Sequence, residues 1–168
     1  MTIAAVVLAA GAATRFGSPK QTLLLPAVVG RLVEAPVHEI VVVEGAHALE
    51  IPHGVPARAV RCAEWALGPG ASLRCGLASL GEDVEAAVVV LADGPRLSPE
   101  AVARVVDAWR EFGGIVAASY HGARGHPLVV GRVDWGDVPD GGLHELPARL
   151  VPCDDLGPPG DVDTPGDL

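Results

Sequence analysis

Aromatic side chains are scarce in this sequence. One Tyr, two Phe and three Trp make up only 4% of it, so Val, Leu and Ala have to build the core. Cysteine is scarce too: Cys62, Cys75 and Cys153 are odd in number and not closely spaced. That pattern suits neither a disulfide framework nor a zinc site, and all three are expected to be buried small hydrophobes. Basic residues are outnumbered, with 12 Lys and Arg against 21 Asp and Glu and a formal net charge of -9. This argues against a broad contact with nucleic-acid phosphates but leaves room for a local basic pocket. Long apolar runs are missing as well. The run from Ile3 to Ala10 is too short to span a bilayer, and Gly11 interrupts it. With no basic flank or signal-like core at the start, the expected location is the cytoplasm, with no membrane partner.

What is present is a foldable chain. Hydrophobic residues make up 49% of 168 positions, enough for one domain, 1–168, with a sizeable core. The 21 Gly and 15 Pro are scattered, which implies many short, tight loops rather than a low-complexity segment.

Ile3–Leu8, Ile40–Val43 and Val88–Leu91 are β-branched or apolar runs bounded by turns. Such uninterrupted runs suit a parallel sheet covered on both faces. Leu73, Leu77 and Leu80 share one helical face, as do Val102, Val105, Val106 and Trp109. The second of these helices has Ser98 to cap it, Pro99 at its first position, Glu100 in its first turn, and Gly113–Gly114 to end it. Ile115–Ala118 and Leu128–Val130 read as further strands, with a short one at Leu150–Pro152 in the otherwise loop-rich stretch 135–160. Val28–Val33 suits a short helix stopped by Pro36. Alternating strand and helix signals give an α/β fold with a mostly parallel sheet and helices on both faces.

Three segments carry residues suited to chemistry. In LAAGAATRFGSPK, Leu8 to Lys20, a buried strand runs into a small-residue turn followed by Arg15 and Lys20. Small side chains let phosphate approach backbone N–H groups, and the two cations suit a triphosphate. The bland alternative is an ordinary strand-to-helix turn. It is neither a Walker loop nor a GxGxxG turn. In VVVLADGP, Asp93 follows a strand directly, where a carboxylate can hold magnesium bridging phosphates; a turn aspartate before Gly-Pro is the alternative. In GDVDTPGDL, Asp161 and Asp163 share a face if extended, and either can supply a second metal carboxylate; the alternative is an acidic tail with a capping Asp163 or Thr164. The six histidines, His38, His47, His53, His121, His126 and His144, include no i, i+4 metal pair. No Gly-x-Ser-x-Gly elbow is present, which argues against a serine hydrolase.

Taken in order, these pieces resemble the MobA-like NTP transferases, the molybdenum-cofactor nucleotidyltransferases, closest to their cytidylyltransferase branch. Leu8–Lys20 is similar to the family's LAAG-x-x-x-R-x-G-x-x-K loop. EWALGPGASLRCGLASL (Glu64–Leu80), LADGPRLSPEAV, GARGHPLVVGR (Gly122–Arg132) and DVDTPGDL resemble its later segments. The resemblance implies a Rossmann-like sheet of the nucleotide-diphospho-sugar transferase type. It also implies Mg2+-assisted attack of an acceptor phosphate on the α-phosphate of an NTP. Leu8, Ala9, Ala10 and Gly11 are then nucleotide-binding, with Ser72 near the base. Arg15 and Lys20 stabilise phosphate charge, and Asp93 and Asp163 hold the metal, with Asp161 as the alternative ligand. The implied partners are CTP, favoured by the Ala10-Gly11 pair, a phosphorylated acceptor such as molybdopterin, and a molybdoenzyme. A sugar-phosphate acceptor, or a binding and maturation protein without turnover, stays open beside this. The chain departs from the family pattern in being shorter between Lys20 and Ile40, with much of the helix there expected to be missing. It also has Gly94 where Gln or Met is usual and His144 where an arginine is common.

Overall fold

In a computed structural model the described residues are 2–10 and 20–160, with side chains left aside for 20–22. The strands are β1 (Thr2–Leu8), β2 (Glu39–Glu44), β3 (Ala57–Arg61), β4 (Val84–Leu91), β5 (Ile115–Tyr120), β6 (Ala123–Gly131) and β7 (Arg149–Pro152). The helices are α1 (Lys20–Val33), α2 (Pro69–Ala78) and α3 (Pro99–Phe112). All seven strands form one sheet in the order β3-β2-β1-β4-β6-β5-β7. β6 alone runs antiparallel to its neighbours, β4 and β5.

The side chains of β1 alternate between two apolar layers. Ile3, Ala5 and Val7 face a layer with α1 and α3, while Ala4 and Val6 face a layer with α2. Burial on both faces explains why β1, β2 and β4 read as continuous apolar runs. In α3, Ala101, Val102, Val105 and Val106 are buried, and the expected cap is in place: the Ser98 hydroxyl accepts from the Ala101 amide at 3.3 Å. Gly113 closes the helix at φ 68°, a conformation that favours glycine.

Three expectations need correction. The helix after Lys20 is not curtailed: α1 has 14 residues. Leu24, Leu25, Val28, Val29 and Leu32 are buried along one face of it, and this packing outweighs Pro26 inside the helix. β3 was not expected, because its Ala-Arg-Ala-Val-Arg sequence has no apolar run and lies at the edge of the sheet. Cys62 and Cys75 are not separate buried thiols; they form a disulfide with Cα atoms 5.8 Å apart. Cys153 is free and buried, as expected.

Candidate active site

The chain leaves β1 toward β2 on one side, while β4 lies on the other. This reversal of direction opens a crevice at the carboxyl ends of β1 and β4. Leu8 and Leu91 are register partners there. The Ala9 amide donates to the Val43 carbonyl at 3.0 Å, and the Ala92 amide to the Leu8 carbonyl at 3.1 Å. Ala10, whose carbonyl accepts from the Ala46 amide at 3.5 Å, and Asp93 therefore lie at the ends of two adjacent strands.

Three cavities adjoin along this crevice, and Leu91 lines all of them. The first, about 290 Å³, lies between Leu8 and Ala10 and the start of α2, with Trp65, Gly68, Pro69 and Ser72. The second, about 300 Å³, is bounded by Pro69, Arg124, His126, Leu143 and His144. The third, about 480 Å³, is lined mainly by apolar groups, among them Leu97, Tyr120, Pro158 and Pro159, with Arg124 and His126 as its charged or polar side chains.

Long-range contacts build the walls. Gly68 precedes α2 at φ 136°, a left-handed value, and a Cβ on it would collide with the Asp140 carbonyl. The Gly70 amide donates to that same carbonyl at 2.8 Å. Arg74 donates to the Val138 carbonyl at 2.8 Å and to the Asp140 carboxylate at 2.5 Å. These contacts seat loop 138–146 against α2. From the other side the Arg124 guanidinium donates to the carbonyls of Leu143 and Leu146, both at 2.7 Å. Arg124 is thus committed to holding the loop, and burial draws it below the usual guanidinium range.

His126, half-buried on β6, stands between the second and third cavities. Burial pushes its imidazole down to about 4; Asp93 opposes the shift and Arg124 adds to it. It is therefore neutral at physiological pH and can offer one donor and one acceptor. Its carbonyl accepts from the Tyr120 hydroxyl at 2.7 Å. Burial, with Cys153 as a second cause, pushes that phenol up to about 12.

The segment after β7 is led back to the site. Arg104 on α3 donates to Asp155 through both nitrogens, at 2.8 and 3.1 Å, and the Arg96 amide donates to the Pro159 carbonyl at 3.0 Å. A Cβ at Gly94 would lie 2.9 Å from Pro159 Cβ. The unusual glycine after Asp93 thus lets this segment pass against the end of β4.

Of the residues expected from sequence, Leu8, Ala10 and Ser72 line one cavity. Ala9 is buried at the end of β1, and Asp93 is half-buried beyond β4. Gly11, Arg15, Asp161 and Asp163 lie outside the described residues, and Lys20 is described only as the first backbone position of α1. Among the described residues no three His, Cys, Asp or Glu side chains cluster as a metal site. Arg124 and His126 were missed. Their segment, Gly122–Arg132, was noticed for its resemblance to a later segment of the family, and which of its side chains meet the crevice depends on the pairing of β6 with β4. His144, noticed as a departure, does line the second cavity.

A crevice at a switch point, a small-residue strand end and a neighbouring strand-end carboxylate are features of the nucleotide-binding α/β proteins. The chain belongs to the MobA-like NTP transferase family, whose domain matches residues 5–141. Rv0371c from Mycobacterium tuberculosis H37Rv is 28% identical, with 99% of this chain and 96% of that chain covered and a TM-score of 0.80. A manganese complex of Rv0371c is 25% identical over 100% and 93% of the two chains, with a TM-score of 0.72. A nucleotidyl transferase from Methanothermobacter thermautotrophicus, 23% identical over 99% and 94% with a TM-score of 0.74, shares the fold. No curated protein matches. Among the described residues no helix is long and apolar enough to cross a membrane.

Proposed function

We propose that this protein is a divalent-metal-dependent cytidylyltransferase that moves CMP from CTP onto the phosphate of a pterin such as molybdopterin, releasing pyrophosphate. The observation that carries this reading is the run of three cavities across the ends of β1 and β4, with Asp93 beside it and Gly160 packed near Gly94. The nucleotide belongs in the first cavity, with its base near Ser72 and its phosphates over Ala9, Ala10 and Gly11. The methyl of Ala10 takes up room beside the base, which favours a pyrimidine.

A hard cation suits the donor chemistry. Mg2+ is commonly held by one or two carboxylates together with substrate phosphates, and Asp93 supplies one. Gly160 lies beside Gly94, and Asp163, with Asp161 as the alternative, is the proposed second. When bound, the metal supplies charge neutralisation for the reacting phosphates. Arg15 and Lys20 stabilise charge on the α-phosphate and on the leaving pyrophosphate. The acceptor lies across the second and third cavities, where neutral His126 offers hydrogen bonds without adding charge. The lining of the third cavity suits a flat ring better than a polyhydroxylated sugar. A molybdoenzyme in the cytoplasm is the proposed recipient of the product.

Pyrophosphate release with CTP, Mg2+ and a panel of pterin and sugar phosphates tests the reading. Release with the pterin phosphate is expected. Release only with sugar phosphates would overturn the acceptor, and CTP binding without release from any acceptor would favour the binding and maturation role.

A further inference from the structure

We propose that Cys62 and Cys75 form a redox site that sets nucleotide affinity, with the disulfide holding one wall of the nucleotide cavity and its reduction loosening that wall. The inference rests on the reading of that cavity as the nucleotide site. The bridge joins the residue after β3 to α2 across 13 positions. Within the closed loop lie Trp65, Ala66, Gly68, Pro69 and Ser72, most of the residues that line the first cavity. The remaining lining residues come from the ends of β1 and β4.

Apart from the bridge, the loop from Ala63 to Gly68 is held at two points, by Trp65 packed against the apolar layer under α2 and by Gly68 against the Asp140 carbonyl. Its short helical turn, Trp65–Leu67, contains no buried residue, and Leu67 is 59% exposed. Its internal bonds are local, from the Leu67 amide to Glu64 at 3.0 Å and from the Gly68 amide to Trp65 at 3.2 Å. One side rests on Gly45, where a Cβ would come within 2.5 Å of Trp65 Cγ, so the indole lies against bare backbone. With no fully buried side chain from Ala63 to Leu67 and only local internal bonds, the segment opens more readily than the core. A covalent tie across it restricts the open ensemble.

The two sulfurs differ in access. Cys62 is 1% exposed, whereas Cys75 is half-buried on α2. A dithiol reductant therefore attacks the Cys75 sulfur. The S–S bond breaks, Cys62 leaves as a thiolate and takes a proton, and a mixed disulfide forms at Cys75. The second thiol of the reductant then displaces Cys75, giving two protein thiols and one oxidised dithiol. Exchange with an oxidised dithiol of the same kind reverses the step. In a reducing compartment such bridges are characteristically transient or redox-sensing rather than static, which fits a bridge beside a substrate site. Cys153, buried and with its thiol pushed up by burial, takes no part.

The test compares the full chain in its oxidised and dithiol-reduced forms. After denaturation the oxidised form should show one free thiol and the reduced form three; three in both would overturn the bridge. Hydrogen exchange at residues 63–68 should be faster in the reduced form, and equal rates would overturn the loosening. CTP with Mg2+, titrated calorimetrically, should bind about 3–10-fold more weakly to the reduced form, corresponding to a wall closed in roughly a tenth to a third of reduced molecules. Cys75→Ala should match the reduced wild type under both conditions, with Cys62→Ala as the second variant if the first does not fold. Equal CTP affinity in the two redox forms would overturn the switch. CTP bound by neither form would overturn the nucleotide reading instead, and the exchange rates would then decide the redox site on their own.

Discussion

Gly70 is the position where the wall of the crevice is most sensitive to one added methyl group. It sits in the first turn of α2 under loop 138–146, and a Cβ there would collide with the Pro139 carbonyl oxygen and lie 2.7 Å from its carbon. The obstacle is backbone, so no side-chain rotation relieves it. The loop must back away, and the bond from the Gly70 amide to the Asp140 carbonyl, 2.8 Å long, is lost or stretched. Overpacking of this kind costs about 1–3 kcal/mol, and the lost bond adds about 0.5–1.5 kcal/mol. Alanine's better helix propensity returns less than about 1 kcal/mol. A net destabilisation of about 2–3 kcal/mol follows, a fall in Tm of roughly 4–12 °C for a chain of this length. Gly30→Ala is the matched control: on α1 a Cβ meets nothing within 4 Å, so the change should stabilise by about 0.5–1 kcal/mol. Calorimetry or thermal CD on both variants reads the difference. A Gly70→Ala protein melting with the wild type would refute the seating of loop 138–146 on α2, and with it the walls of the second cavity.

The remaining predictions concern the nucleotide. Arg15→Ala and Lys20→Ala should each lower turnover by on the order of 2–4 kcal/mol of transition-state stabilisation; steady-state kinetics indistinguishable from wild type in both would reduce the loop to a structural turn. Lys20 is the sequence's sole lysine, so no neighbouring lysine can substitute for it. CTP should bind more tightly than GTP, and Ala10→Gly should narrow the gap; tighter GTP binding by the wild type would overturn the cytidylyl preference while leaving the nucleotidyltransferase class untouched.

The central strands were legible because their apolar runs are long enough to exclude other readings. β1, β2, β4 and β5 fall within a few residues of the expected bounds, and α3 begins and ends at its expected caps. What escaped notice was either marginal or non-local. β3 is short and half exposed, and its pairing with β2 supplies what its own sequence does not. The stripe of α1 was legible only from Val28 onward, because Pro26 masks the continuity with Leu24 and Leu25. The disulfide joins residues on different elements, and no local pattern announces it. The same holds for the site. Asp93 could be placed at a strand end from the run before it. The roles of Arg124 and His126 depend on β6 lying antiparallel beside β4, a pairing that spans some forty residues of chain. Gly94 read as a departure from the family pattern until Pro159 was seen against it.

The central claim is that a nucleotide and a divalent metal meet at the end of β4, and Asp93 is its most exposed point. Calorimetric titration of CTP in the presence of Mg2+, on wild type and on Asp93→Asn, tests it most directly, with thermal melting to confirm that the variant is folded. The account predicts metal-dependent binding by the wild type and at least a tenfold weaker affinity in a variant with an unchanged melting curve. Equal affinity in the two proteins, or wild-type binding indifferent to the metal, would contradict it.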